Sequence, residues 1–172
     1  MAFITGPRQV GKTTLARFLL KEVGSDNYFN WDDGETRRRI LRSSGSFWES
    51  PGSNPSRIVL DEIHKYPRWK RFLKGFFDLQ RDRVEVMVTG SGRLDIYQRG
   101  GDSLFGRYHL LHLLPFSLGE LARPKTIPAP LDHTSSIEKV FEPPDAVLKE
   151  GYQSLWNLNG FPEPLFPEND PL

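Results

Sequence analysis

The stretch Gly6-Pro7-Arg8-Gln9-Val10-Gly11-Lys12-Thr13 decides the fold. It fits the pattern G-x-x-x-x-G-K-[ST], in which each fixed position has a chemical task. The glycines let the backbone curl so that successive N–H groups face phosphate oxygens. Lys12 can reach β- and γ-phosphates, and the Thr13 hydroxyl can ligate Mg²⁺. Pro7, Arg8, Gln9 and Val10 make the turn, and Thr14 continues the phosphate-facing set into a helix. Ala2-Phe3-Ile4-Thr5 ahead of the loop reads as a short buried strand, and Thr14-Leu15-Ala16-Arg17-Phe18-Leu19-Leu20 behind it reads as a helix. Strand, loop and helix in that order put an anion at the positive end of the helix.

Outward from the loop, strands alternate with helices. Gly24 stops the first helix. Tyr28-Phe29-Asn30-Trp31 reads as a second strand, closed by Asp32-Asp33-Gly34. Residues 35–42 are helical in composition and carry Arg37, Arg38, Arg39 and Arg42. Residues 43–56 form a Ser-, Gly- and Pro-rich loop that Phe47 and Trp48 should pin to the body. Arg57-Ile58-Val59-Leu60 is a third strand, ending at Asp61-Glu62. Pro67 then opens an amphipathic helix, with Trp69, Phe72, Leu73, Phe76 and Phe77 at i, i+3, i+4, i+7 and i+8. Residues 84–89 make a fourth strand broken at Gly90-Ser91-Gly92, a helical turn follows around residues 94–97, and residues 108–113 make the last strand. This alternation implies an α/β fold with a mainly parallel sheet covered on both faces.

A phosphate loop needs a partner strand that holds the metal. Ile58-Val59-Leu60-Asp61-Glu62 has that form: apolar residues, then two carboxylates at the strand's carboxyl end, where open α/β sheets bind ligands. Asp61 would organise Mg²⁺, directly or through water. Glu62 would orient or deprotonate an attacking water. A polar group in Thr89-Gly90-Ser91, on the next strand end, could sense the γ-phosphate. Arg93, Arg99 and Arg107 could neutralise charge in a phosphoryl-transfer transition state. Arg107 is preferred, as a bidentate donor brought by a neighbouring subunit. Guanine specificity would want an N-K-x-D loop, and a transfer kinase would want an acceptor pocket and basic lid. Neither is identifiable, so ATP hydrolysis by water is the reading. His64, His109, His112 and His133 have no metal-binding spacing.

Composition narrows the class. The 172 residues suit one domain, or one with an appendage. Zero cysteines rule out disulfides, thiolate metal sites and cysteine nucleophiles. With no run of 18 apolar residues and no signal-peptide pattern, a cytoplasmic chain without a membrane partner is expected. The net charge of +1 hides an asymmetry. Residues 1–123 hold 20 Lys/Arg against 14 Asp/Glu, whereas residues 124–172 hold 3 against 8 and nine of the 14 prolines. Residues 1–123 are therefore read as the compact core, and 124–172 as an acidic, Pro-rich C-terminal segment that begins a lid or further domain.

With these residues in place, the chain resembles the prokaryotic AAA-type P-loop ATPases whose catalytic domain precedes a nuclease-like C-terminal domain of unknown function. The resemblance is carried by the loop through Ala16, by Asn30-Trp31-Asp32-Asp33, and by Leu60-Asp61-Glu62-Ile63-His64-Lys65-Tyr66-Pro67-Arg68-Trp69-Lys70. It continues in Thr89-Gly90-Ser91-Gly92-Arg93-Leu94-Asp95, Gly101-Asp102-Ser103-Leu104-Phe105-Gly106-Arg107-Tyr108, Leu114-Pro115-Phe116-Ser117-Leu118-Gly119-Glu120-Leu121 and Gly160-Phe161-Pro162-Glu163-Pro164. It implies a three-layer αβα sandwich with a five-stranded sheet in the order 5-1-4-3-2, ATP and Mg²⁺ as ligands, Thr89 or Ser91 as the sensor, and Arg107 as the finger. Such proteins have more chain before the first strand, which helps to wall the adenine, and more after the Gly-Phe-Pro-Glu-Pro segment. The chain is accordingly read as a truncated member, or as the first part of a split gene.

Two functions follow. The first is an Mg²⁺-dependent ATPase in which Lys12, Glu62, Arg107 and a Thr89 or Ser91 sensor act on ATP while Thr13 and Asp61 hold the metal. The second is an interaction module that binds ATP with negligible turnover. A homo-oligomer would supply the arginine in trans in either case. Nucleic acid is a weaker partner, through the arginines at 37–42 and the Lys/Arg set at 65–74.

Overall fold

The computed structural model describes residues 1–23, 27–49, 57–91, 104–121 and 146–166. Its elements are β1 (Ala2–Gly6), α1 (Lys12–Glu22), β2 (Tyr28–Asn30), α2 (Gly34–Arg42), β3 (Arg57–Asp61), a 3₁₀ turn (Ile63–Lys65), α3 (Trp69–Gln80), β4 (Glu85–Ser91) and β5 (His109–His112). The strands form one sheet in the order β2-β3-β4-β1-β5, every pair parallel. Read from the other edge, this is the expected 5-1-4-3-2.

Strand alternation sends successive apolar side chains to opposite faces, and both faces are covered. Phe3, Ile58, Leu60, Val86 and Val88 join Leu73 and Phe76 of α3 and Ile40 of α2 in the larger cluster. Ile4, Val59 and Met87 join Ala16 and Leu20 of α1 in the smaller one. The result is the three-layer αβα architecture of P-loop nucleotide-binding domains. Asp33 caps α2, its carboxylate accepting from the N–H groups of Glu35 (3.4 Å) and Thr36 (2.8 Å).

The described part of the 43–56 loop is held as expected. Phe47 and Trp48 are buried, Phe47 meets Phe29 edge-on at 4.9 Å, and Gln80 Nε2 donates to Gly45 O at 2.9 Å. Two boundaries differ from local expectation. β4 does not break at Gly90 but runs to Ser91, because Thr5 pairs with Gly90 and Gly6 with Ser91. Pairing to a central strand outweighs the poor strand preference of glycine there. α3 starts at Trp69, not at Pro67, with Pro67 and Arg68 in the turn ahead of it. The helix stop at Gly24 and the turn at residues 94–97 lie outside the described residues.

The chain divides into two compact units, Met1–Leu114 and Pro115–Leu172. The division falls ahead of the composition break near Pro124. The second unit contains α4 (Leu118–Leu121), α5 (Ala146–Leu158) and α6 (Pro162–Leu165). Within it, two segments far apart in sequence meet: Phe116 N donates to Gly160 O at 2.6 Å, and Phe116 packs edge-on against Phe166 at 5.3 Å. Ser117 and Glu120 cap the short α4 reciprocally: Ser117 N–H donates to Glu120 Oε2 (2.8 Å) and Glu120 N–H to Ser117 Oγ (3.3 Å). No helix among the described residues is long and apolar enough to cross a membrane.

Candidate functional site

The loop between β1 and α1 is built by close contact at one end and backbone twist at the other. A side chain at Gly6 would meet Leu113 O at 2.0 Å, so β1 can leave the sheet beside β5 only as glycine. Gly11 has φ 92°, a left-handed conformation that glycine adopts without steric cost, and it starts α1. Val10 is buried beneath the turn, while Pro7, Arg8, Gln9, Thr13 and Thr14 are exposed. The N-terminus of α1 has no side-chain cap and no acidic residue in its first turn. Its free N–H groups and positive dipole end suit an anion.

Lys12 is buried and folds back over this loop, donating from Nζ to Gly6 O at 3.1 Å and to Pro7 O. Burial pushes its ammonium below the usual lysine pKa, and the nearby Glu62 and Asp61 oppose that shift. The same two carboxylates therefore share the electrostatic field of the loop lysine.

Asp61, at the carboxyl end of β3, is buried and gathers hydroxyls from three elements. Thr89 Oγ1 of β4 donates to Oδ1 at 2.6 Å. Thr13 Oγ1 of α1 reaches Oδ2 at 3.4 Å, across 48 positions of sequence. Tyr28 OH of β2 donates to the same Oδ2. Burial, then the bond to Asp61, raises the Tyr28 phenol well above its ordinary pKa, so it stays a donor. Thr13 and Asp61 are hard oxygen donors held close together. Mg²⁺ takes one or two such protein oxygens and fills its remaining positions with phosphate oxygens and water. The pair therefore fits that ion.

Glu62 follows Asp61 in a left-handed conformation, φ 57°, unusual for a residue with a side chain. Its N–H donates to Thr89 O at 2.9 Å, which fixes the turn. Its carboxylate pairs with Lys65 at 3.2 Å and lies 3.7 Å from His64 Nε2. Lys65 also reaches Asp32 at 2.5 Å. The His64 side chain is largely covered, its Nδ1 has no hydrogen-bond partner, and burial lowers its pKa.

The two sensor candidates separate. Thr89 is fully buried and spends its hydroxyl on Asp61. Ser91 lies in register with Gly6, at the start of the loop. Arg107 is not brought to the loop of its own chain. Its carbonyl accepts from the Met1 ammonium at 3.0 Å, and His109 pairs with Ala2, which puts Arg107 at the opposite end of the sheet. Its guanidinium forks onto Asp78 of α3 at 2.7 and 3.3 Å. Arg93 and Arg99 lie outside the described residues. On α2, Arg38 Nε bonds Gly34 O at 3.1 Å and Arg39 lies over the Phe29 ring at 5.5 Å, so part of the arginine run serves its own helix and core.

Three participants were not legible beforehand. Tyr28 reads as an ordinary strand residue. Asp32 reads as part of the turn that closes β2 and Lys65 as one of the basic set at 65–74, although both lie in segments that carry the family resemblance.

Residues 1–122 match the AAA domain family in sequence. None of the curated proteins compared matches the chain. Among solved structures the chain is similar to a Signal Transduction ATPase with Numerous Domains (STAND) protein with a tetratricopeptide repeat sensor from Pyrococcus horikoshii. The TM-score is 0.50 at 17% identity, over 99% of this chain and 28% of that one. It is also similar to a chain from work on the structural basis of katanin self-assembly, with a TM-score of 0.43 at 21% identity, over 89% of this chain and 51% of that one. The chain thus spans only part of each of these proteins, and the likeness to the STAND protein is one of fold.

Proposed function

The chain belongs to the AAA domain family, and from that premise we propose that it is an Mg²⁺-dependent ATPase domain. Its family and fold are of nucleotide-binding ATPase type. The observation that carries the finer reading is the approach of Thr13 Oγ1 to Asp61 Oδ2, 3.4 Å, beside the uncapped start of α1. In this reading the N–H groups of residues 8–14 cradle the triphosphate, and Lys12 swings from the Gly6 and Pro7 carbonyls to the β- and γ-phosphates. Thr13 and Asp61 would hold Mg²⁺, which when bound would neutralise phosphate charge. Glu62, released from Lys65, accepts a proton from water as the water oxygen attacks the γ-phosphorus. The bond from that phosphorus to the β–γ bridging oxygen breaks, and ADP leaves with phosphate as the second product. A positioned base of this kind contributes about 10²–10⁴-fold. Ser91 is the better-placed γ-phosphate sensor, with Thr89 acting on Asp61.

A second reading has its own observation. In a single chain Glu62 is paired with Lys65 and Arg107 with Asp78. A chain in that arrangement is an interaction module that binds ATP and turns over negligibly, because its base is occupied and its arginine lies away from its own loop. Phosphate release by wild type and Glu62→Gln separates the two. The ATPase loses turnover on that change and keeps ATP binding. The binding module releases no phosphate before or after it. Undiminished Mg·ATP affinity in Lys12→Ala overturns both.

A further inference from the structure

Asp61 is approached from three sides, and one approach belongs to neither the loop nor β4. Tyr28 opens β2, where it pairs with Val59, two positions before Asp61 on β3. A residue there cannot reach the strand's carboxyl end unless its side chain is long and runs along the sheet. Tyr28 does this beneath α1. Its ring packs with the cluster of Ile4, Ala16, Leu20 and Val59, and Arg17 of α1 lies over it, 4.9 Å from the ring centroid. Ring and hydroxyl are thus aimed by the helix that follows the phosphate loop.

The hydroxyl lands on Oδ2, the Asp61 oxygen that Thr13 also reaches. A carboxylate has about four lone-pair directions. Thr89 fills one on Oδ1 and Tyr28 one on Oδ2, while Thr13 stands at the other on Oδ2 at a long 3.4 Å, a direction that a metal ion can take. Thr89 alone leaves the carboxylate free to rotate about its bond to Oδ1. The second anchor from Tyr28 fixes the plane and holds Oδ2 next to Thr13.

We infer that Tyr28 is a positioning residue for the metal: its phenol fixes the Asp61 carboxylate so that Oδ2 and Thr13 Oγ1 present a preformed pair of oxygens to Mg²⁺. The inference rests on reading the site as one for Mg·ATP. It separates two quantities that a merely structural role would move together. Nucleotide binding without metal depends on the loop and Lys12, and is independent of the phenol. The gain in nucleotide affinity on adding Mg²⁺ depends on the phenol.

The test is titration of a fluorescent ATP analogue into wild type and Tyr28→Phe, in EDTA and in excess Mg²⁺. Removing an outer partner of a metal ligand lowers metal affinity about 10–100-fold. Tyr28→Phe should bind the analogue as wild type does in EDTA and lose about tenfold of the Mg²⁺-dependent gain. A full gain in Tyr28→Phe overturns the inference and leaves the nucleotide site intact. A wild type that binds no analogue in either buffer overturns the site itself, a result distinct from the first. Incorporation of 3-fluorotyrosine at position 28 keeps ring and hydroxyl, so it reports even where Tyr28→Phe does not fold. The gain should be retained, and the fluorine resonance of the nucleotide complex should shift on adding Mg²⁺. An unmoved resonance overturns the inference.

Discussion

Thr89 Oγ1 donates a 2.6 Å hydrogen bond to Asp61 Oδ1, from the central strand β4 to its neighbour β3, with Thr89 fully buried. Glu62 N–H returns to Thr89 O at 2.9 Å. Thr89 thus holds both carboxylate residues, one by its side chain and one by its backbone. Thr89→Val keeps shape and backbone but removes a bond to a charged acceptor. We expect it to lower stability by about 1.5–3 kcal/mol, read from urea unfolding. Ser91→Ala should leave the unfolding midpoint nearly unchanged and lower turnover.

Gly6→Ala tests the exit of β1. The added methyl would stand 2.0 Å from Leu113 O, a backbone atom that can move only with the end of β5. We expect a loss of about 2 kcal/mol or more, measured by thermal or urea unfolding without ligand. Nucleotide affinity should fall as well, because the loop starts from that residue.

His64 predicts a pH dependence. Burial favours its neutral form, with Lys65 adding to that effect and Glu62, Asp61 and Asp32 opposing it, so its folded pKa lies below the ordinary 6.5. As pH falls through 6.5 the unfolded chain takes up the proton first, and stability drops until the depressed folded value is passed. Above 6.5 the contribution is complete. Urea midpoints on both sides of that pH should show the drop in wild type and a smaller one in His64→Gln.

Arg107 predicts a requirement for a second copy. It lies at the end of the sheet away from the loop and is held by Asp78, so its own chain cannot use it at the phosphates. If a neighbour does, turnover per subunit should rise with protein concentration. Arg107→Ala should lose about 10³-fold or more in turnover while keeping Mg·ATP affinity. Mixing Arg107→Ala with Glu62→Gln subunits should restore part of the activity, since each supplies what the other lacks. Absence of that restoration in a mixture shown to co-assemble removes Arg107 from the reaction.

Local chemistry made much of the site readable. The loop signature works because its glycines, lysine and threonine act within one turn and need no distant partner to be recognised. Asp61-Glu62 was readable once a phosphate loop stood upstream, because a strand ending in carboxylates has a place to deliver them. Tyr28 was not, since a tyrosine at a strand start looks the same whether its hydroxyl meets water or a carboxylate. The division of labour between Thr89 and Ser91 was equally hidden. They lie two positions apart on one strand and share a face, and only the register with β1 and β3 separates them.

The order of residues by itself determined the alternation of strands and helices, the two-sided burial of the sheet, and the chemistry of the loop, since each rests on spacing along the chain. The tertiary structure alone decided which groups share Asp61, that Glu62 is paired with Lys65, and that Arg107 faces away from its own loop. The contacts to Asp61 span 28 to 48 positions of sequence. They exist only after parallel strands have brought their carboxyl ends to one edge, which no local pattern encodes.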